Sequence, residues 1–146
     1  MDDQAPAPAT LSPAAAGSLA RWHEMIASGD LSGLGQIVHP DAVFSSPVAH
    51  TPYRSRDAVV LAVSTAFAVF SDFTYHRSFV AQSGRDVVLE FRARVGDRDV
   101  HGIDVLTFDD EGRIVAVEVM VRPMSGLQAL GTEMAARVGK QLTSYA

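Results

Sequence analysis

The sequence predicts an α+β domain in which helices pack on one face of a curved antiparallel sheet. Two observations carry this prediction. Apolar residues recur at helical spacing in the first half of the chain and again near its end, whereas the stretch that begins at Phe73 has a period of two. Turns rich in Gly and Asp divide that stretch into strands that can pair as a meander.

Composition limits the class of protein. The chain has 146 residues, of which 47% are hydrophobic and 20% charged, and its net charge is −5. A single domain of this length buries about two-thirds of the surface of its unfolded chain, so it can form a sizeable core. The composition excludes a disordered chain, and the acidic balance argues against a nucleic-acid-binding protein. The absence of cysteine excludes disulfides, thiolate nucleophiles and cysteine metal sites.

The ends of the chain carry no recognised targeting pattern. The acidic start, Met1-Asp2-Asp3, does not resemble a signal peptide, and the longest apolar stretch, residues 58–70, is too short to span a bilayer. We therefore expect a cytoplasmic protein with no membrane contact. Residues 1–11 are expected to form a disordered tail, residues 12–140 a single domain and residues 141–146 a C-terminal tail.

The first predicted helix begins at Ser12, which we expect to act as N-cap with Pro13 at the first helical position. Gly29 ends this helix. Its apolar face is formed by three residues at helical spacing: Leu19, Trp22 and Ile26.

A second, short helix is predicted to begin at Asp30, which can act as its N-cap. It is expected to end at His39-Pro40, because a residue before proline avoids the helical conformation. Residues 42–46 are predicted to form a short strand that Pro47 stops. Ser55 is the expected N-cap of the next helix. The apolar face of that helix comprises Val59, Val63, Ala66, Phe67 and Phe70.

Four predicted strands follow. The first covers residues 74–82, and the second, through Leu89–Val95, alternates apolar and charged residues as a half-buried strand does. The third covers residues 98–108. The fourth, residues 113–122, is apolar on both faces, so we expect it to be covered on both.

The last predicted element is a helix. Pro123 ends the final strand, and Ser125–Gln128 has the spacing of a capping box. An apolar helical stripe follows, and we expect Gly139 to end the helix.

Asp104 is the most informative candidate for a functional residue. Alternation places it on the same strand face as Gly102, Leu106 and Phe108, which is the face expected to point at the helices. A carboxylate there is costly unless it is paired or protonated, and burial would raise its pKa. Such a group suits hydrogen-bond donation or general acid–base chemistry. The alternative is a solvent-facing or Arg-paired aspartate in a strand whose two faces are exchanged.

The histidines do not predict a metal site. No pair has the i, i+4 spacing of a helical metal motif, and no carboxylate cluster accompanies them. His101 has the opposite parity to Asp104 and is expected to face away from it. His50 and His76 are alternatives for a catalytic base. No nucleophile elbow, phosphate-binding glycine loop or dinucleotide fingerprint is present, so we expect no cofactor.

Four stretches of sequence together suggest a family. They are residues 27–31, residues 39–44, residues 119–123 and the most specific one, Ile103-Asp104-x-x-x-Phe108-x-x-x-Gly112-Arg113-Ile114. In their order and spacing, from about Leu19 to Met134, the chain resembles the SnoaL-like proteins of the nuclear transport factor two-like superfamily. That superfamily also contains ketosteroid isomerase and polyketide cyclases.

The resemblance implies a cone-shaped α+β barrel: a curved antiparallel sheet wrapped around N-terminal helices, with a C-terminal helix and an apolar cavity. On this model, Asp104 matches the ketosteroid isomerase aspartic acid that donates to the developing oxyanion. The general-base aspartate of that enzyme corresponds here to Ser46, and its oxyanion tyrosine to Trp22. A serine hydroxyl cannot replace a carboxylate base, so ordinary ketosteroid isomerisation by that mechanism is not expected. Trp22 is either a cavity wall residue that donates its N–H to a ligand or a core residue.

The expected cavity suits a mostly apolar ligand, cyclic ones included, with one oxygen that Asp104 can bond. His50 and Tyr53 are expected at its mouth. The predicted lining comprises Trp22, Ile26, Phe44, Ser46, Val63, Phe67, Leu89, Phe91, Val117, Val119 and Val121.

Three functions remain open at this point. The first is cofactor-independent isomerisation, aldol-type cyclisation or dehydration, with Asp104 as acid, base or oxyanion donor. The second is a non-catalytic module for ligand binding or dimerisation, which the serine at position 46 favours. The third is a protein–protein adaptor with a collapsed cavity.

The outer face of the sheet predicts a homodimer, because it combines apolar residues with flanking charges of both signs. The alternative is a semi-apolar face that stays exposed. The predicted face comprises Val88, Glu90, Arg92, Ile103, Val105, Thr107, Ala116, Glu118, Met120 and Arg122.

Overall fold

The structure is a computed structural model that describes residue 7 and residues 9–146. Most of the predicted N-terminal tail, residues 1–6 and 8, lies outside the described residues. The elements in chain order are α1 (Pro13–Ser28), a 3-10 turn (Leu34–Ile37), β1 (Val38–Ser45), β2 (Tyr53–Arg54), α2 (Arg56–Val69), β3 (Ser71–Val80), β4 (Asp86–Val95), β5 (Arg98–Phe108), β6 (Ile114–Arg122) and α3 (Met124–Thr143).

The six strands form one sheet in the order β2-β1-β6-β5-β4-β3. Strands β3 to β6 form the predicted antiparallel meander, whereas β1 lies parallel to β6, so the sheet is mixed rather than purely antiparallel. Register shifts in the β3–β4 and β5–β6 pairs bend the strands, as extra residues in a ladder do. The predicted α+β class with a curved sheet is confirmed.

The predicted second helix is wrong. Only the 3-10 turn forms, and Val38 already begins β1. His39 and Pro40 lie inside this strand, where the β1–β6 register shifts between Val38 and Val43. An irregular stretch of this kind accommodates a proline, which has no N–H to give to the ladder.

The last helix differs from the prediction at both ends. It begins directly after Pro123 with no side-chain cap, so the predicted capping box is wrong and Ser125 lies within the first turn. The helix also passes Gly139 and continues to Thr143, because Val138 and Leu142 are buried on its core-facing side. Residues 141–143, expected in a C-terminal tail, therefore belong to a packed helix.

The helix starts of the first half follow the sequence. The hydroxyl of Ser12 accepts a hydrogen bond from the amide of Ala15, and the hydroxyl of Ser55 accepts one from the amide of Ala58. Gly29 ends α1 in the left-handed conformation. The core lies between these helices and the inner face of the sheet, where every second residue of β5 is buried.

No helix within the described part of the chain is long and apolar enough to cross a membrane.

Candidate functional site around Asp104

Asp104 occupies the middle of β5, opposite Leu89 of β4 and Val119 of β6. Its side chain points at the helices, as the alternation of β5 predicts, and the residue is 6% exposed. Burial raises the pKa of Asp104 to about 7, because a carboxylate loses its hydration there. The carboxyl group can therefore be neutral or ionised near neutral pH.

Tyr75 of β3 holds this carboxyl group. Its hydroxyl donates a 2.7 Å hydrogen bond to Oδ2 of Asp104 and accepts a 3.0 Å hydrogen bond from Nε1 of Trp22 on α1. The hydrogen bond from Tyr75 opposes the effect of burial on the pKa of Asp104. Burial and the negative charge of Asp104 raise the pKa of Tyr75 well above its ordinary value, so the phenol keeps its proton.

The second carboxyl oxygen, Oδ1 of Asp104, is available to a ligand. No donor in residues 9–146 bonds to it. No buried side-chain polar atom of the described chain lacks a partner, so Oδ1 retains exposure to the cavity that Asp104 lines. The geometry thus fixes one oxygen of the carboxyl group and leaves the other facing open space.

This space, the main cavity, has a volume of about 320 Å³ and is lined mainly by apolar side chains. It lies between the inner face of the sheet, α2, α3 and the segment after β1. The structure brings the following predicted residues together on its wall: Trp22, Phe44, Ser46, Tyr53, Val63, Phe67, Asp104, Val117 and Val119.

Five predicted residues do not line the main cavity. Leu89 and Phe91 are fully buried in the core, and Phe73 and Phe70 cover the Phe91 ring at centroid distances of 4.9 and 5.4 Å. Ile26 faces a different hollow. The remaining two are Val121, which packs against the apolar cluster around Phe91, and His50, which is exposed.

Part of the wall comes from residues that the sequence did not place there. α3 packs against α2 and contributes Leu130, Met134 and Leu142, and Phe70 adds to the wall directly after the end of α2. The apolar stripe of α3 was visible in the sequence, but which element it covers depends on tertiary packing. Tyr75 was missed because the β3–β4 register shifts on both sides of the residues 74–75 pair, which breaks the alternation.

Ser46 lines the main cavity, but its hydroxyl accepts a 3.1 Å hydrogen bond from the amide of Val48 and so stabilises a turn. Asp104 is the single carboxyl group among the described wall residues.

His76 is exposed, and His101 lies on the opposite face of the sheet, with Nε2 3.1 Å from Oε2 of Glu90. Within residues 9–146, no cluster of His, Asp and Glu has an arrangement that could hold a metal ion.

Comparison with known proteins identifies relatives. The family model of the SnoaL-like domain matches residues 19–117. A steroid delta-isomerase from Pseudomonas aeruginosa is 56% identical; the match covers 92% of this chain and 98% of that one, with a TM-score of 0.88. An uncharacterised conserved bacterial protein with a cystatin-like fold from Silicibacter pomeroyi DSS-3 is 33% identical over 88% of this chain and 91% of that one, with a TM-score of 0.79.

More distant structures share the fold. The epoxide hydrolase/cyclase-like enzyme SalBIII, which acts in pyran ring formation in salinomycin, is 18% identical. The match covers 76% of this chain and 92% of SalBIII, with a TM-score of 0.62. No curated protein matches the sequence. The predicted cone-shaped fold is confirmed, and it is a fold used by small-molecule isomerases and cyclases.

Proposed function

Because the chain belongs to the SnoaL-like domain family, we propose that it binds a small, mostly apolar ligand in the main cavity and catalyses proton transfer with Asp104. The observation that carries this proposal is the carboxyl group of Asp104, held at Oδ2 by Tyr75 and open to the cavity at Oδ1. A proton-transfer group works best when its pKa lies near the working pH. The pKa of about 7 meets that condition.

The single carboxyl group suggests an isomerisation in which one residue both removes and returns the proton. Ionised Asp104 takes a proton from the carbon next to a ligand carbonyl, and the electron pair of the broken C–H bond delocalises onto the carbonyl oxygen. Protonated Asp104 then returns the proton to the far carbon of a neighbouring double bond, which shifts that double bond into conjugation. Tyr75 and Trp22 are positioning residues that keep Oδ1 aimed into the cavity.

The volume of the cavity and the similarity to a steroid delta-isomerase support a substrate class. A volume of about 320 Å³ lies at the lower end of the range for small-molecule sites, roughly 300–1,000 Å³. The 56% identical protein is a steroid delta-isomerase, which supports a β,γ-unsaturated cyclic ketone, steroids included, as the first substrate to test. The apolar wall fits the ring carbons, and Oδ1 of Asp104 is the oxygen that takes the proton.

The experiment compares wild type with Asp104→Asn and follows the ultraviolet absorbance of the conjugated ketone. Asp104→Asn keeps the shape of the side chain but cannot accept a proton, so kcat should fall by about 100-fold or more. Asp99→Asn is the matched control, because Asp99 lies on the same strand and is exposed. Undiminished turnover by Asp104→Asn would remove the proposed role.

A second candidate function is non-catalytic binding of the same ligand class. The observation in its favour is Ser46, whose hydroxyl is used within a turn and which brings no second carboxyl group to the cavity. A binder saturates with the ketone and leaves it unchanged, whereas an isomerase converts it. Product analysis after prolonged incubation separates the two.

We also propose that two copies of the chain pair through the outer face of the sheet. Met120, which is 49% exposed, and Ile103 lie opposite each other there, beside the ion pair of Arg77 with Glu90. Apolar residues with flanking charges favour self-association. Light scattering at micromolar concentration should give a dimer that Met120→Lys weakens, whereas Met124→Lys, an exposed site outside this face, should not. A strict wild-type monomer would contradict the proposal.

A further inference from the structure

A second hollow of about 600 Å³ lies between the end of α1, the end of α2 and the first half of β3. His23 and Ile26 line it from α1, Phe67 from α2, and Phe73 and Tyr75 from β3. Phe67 also lines the main cavity. The two spaces therefore share a wall, and the proposed function leaves the second hollow unexplained.

The walls of the second hollow are aromatic. The rings of His23 and Tyr75 meet edge to face at a centroid distance of 5.3 Å, and those of Phe67 and Phe73 do so at 4.7 Å. Aromatic rings prefer such edge-to-face and offset contacts with a further ring, which add to the gain from burying apolar area. Because no Asp, Glu, Lys or Arg lines the hollow in the described structure, its interior favours an uncharged molecule.

His23 supplies the polar contact. Burial lowers the pKa of His23 below its ordinary value, which favours the neutral form of the ring. A neutral imidazole has one nitrogen that accepts a hydrogen bond. Neither ring nitrogen of His23 is bonded to another residue of the described chain, which leaves that acceptor for a ligand donor.

We propose that the second hollow binds a small, neutral aromatic molecule that carries one N–H or O–H donor. The ring of the molecule packs among Phe67, Phe73 and Tyr75, and its donor bonds to His23. The site uses neither the carboxyl group of Asp104 nor the volume of the main cavity, although Phe67 lines both spaces. Its occupant touches the ring of Tyr75, the residue that holds Asp104.

The experiment uses indole as the probe and three exposed alanines as sites for tryptophan. Ala68→Trp fills the second hollow from α2, Ala135→Trp fills the mouth of the main cavity from α3, and Ala136→Trp lies next to it but lines neither space. Methyl NMR shifts of Ile26 and Leu31, both on the wall of the second hollow, report binding. Circular dichroism confirms that each variant is folded.

We expect indole to saturate the shifts of Ile26 and Leu31 in wild type, Ala135→Trp and Ala136→Trp. Ala68→Trp should weaken binding by about tenfold or more, since it occupies the same volume. Ala27→Trp, which fills the hollow from α1, should do the same and replaces Ala68→Trp if that variant does not fold. Absence of saturable shifts in wild type, or loss of binding in Ala135→Trp with retention in Ala68→Trp, would overturn the proposal.

Discussion

The hydroxyl of Tyr75 lies 2.7 Å from Oδ2 of Asp104 and donates a hydrogen bond to it. The direction of this bond follows from the two proton affinities, because the pKa of Tyr75 is raised well above its ordinary value whereas that of Asp104 is about 7. The phenol therefore stays protonated while the carboxyl group titrates. A hydrogen bond of this kind favours the ionised carboxylate, so Tyr75 limits the rise that burial causes.

Tyr75→Phe should raise the pKa of Asp104 further, because burial then acts without the opposing hydrogen bond. The variant should also lose about 1 kcal/mol of unfolding free energy, since Nε1 of Trp22 loses its acceptor. Carboxyl-carbon NMR with Asp104→Asn for assignment gives the pKa, and urea unfolding gives the stability. Tyr53→Phe is the control, because Tyr53 lines the same cavity without bonding to Asp104. A lower or unchanged pKa in Tyr75→Phe would contradict the prediction.

The raised pKa of Asp104 makes stability depend on pH. Between the ordinary value of 3.8 and the folded value of about 7, the folded state holds a proton that the unfolded state has released. The free energy of unfolding attributable to Asp104 is therefore highest below pH 4 and is lost as pH rises to about 7. The loss is at most about 4 kcal/mol, from a shift of about 3 units at about 1.4 kcal/mol each.

Asp104→Asn should remove this dependence, because an amide does not titrate. The difference in unfolding free energy between wild type and Asp104→Asn should change in favour of the variant as pH rises from 4.5 to 8. Urea unfolding across that range measures it, with Asp99→Asn as the exposed control. A constant difference would show that the folded carboxyl group has an ordinary pKa.

The fold was predictable from the sequence because its signals are local. Caps at Ser12 and Ser55 and the period of two in β4 and β5 fix the helix starts and strand faces. The inward direction of Asp104 follows from the same alternation. The parallel β1–β6 pair was not predictable, because it joins residues about 75 positions apart through no local turn.

The candidate site was predictable only in part. Tyr75 lies where β3 changes register, so alternation does not give its direction. The sequence left Trp22 as either a wall residue or a core residue. In the structure Trp22 is buried, and its N–H donates to Tyr75 rather than pointing into the open part of the cavity. Leu89 and Phe91 lie on the same face of the sheet as Asp104. However, the rings of Phe70, directly after α2, and of Phe73 in β3 cover Phe91. Alternation gives the face of a sheet, but side-chain volumes decide which part of that face stays open.

On the outer face of the sheet, loss of Arg77 should change the pKa of Glu90. The guanidinium of Arg77 bonds to both carboxylate oxygens, at 2.8 and 2.6 Å, and with His101 it lowers the pKa of Glu90 to about 2. Arg77→Gln should therefore raise the pKa of Glu90 towards its ordinary value of 4.5. In wild type, Glu90 adds stability above pH 4.5 that is lost as pH falls towards 2, and this acid-dependent loss should shrink in the variant. Carboxyl-carbon NMR measures the shift. Arg92→Gln, on the same exposed face, should leave Glu90 unchanged; an equal effect of both variants would contradict a specific pair.

Gly102, two residues before Asp104, allows β5 to pack closely against the backbone of β6 and the ring of Phe91. A β-carbon at this position would lie 2.5 Å from the carbonyl oxygen of Met120 and 2.6 Å from the ring of Phe91. Moving strand backbone or a fully buried ring out of the way costs free energy, because both are closely packed. Gly102→Ala should therefore cost about 1–3 kcal/mol of unfolding free energy. Gly17→Ala, in α1 with open space around the new methyl group, should instead add about 0.5–1 kcal/mol. Urea unfolding of both variants measures the contrast, and a Gly102→Ala protein as stable as wild type would show that β5 and β6 can separate next to Asp104.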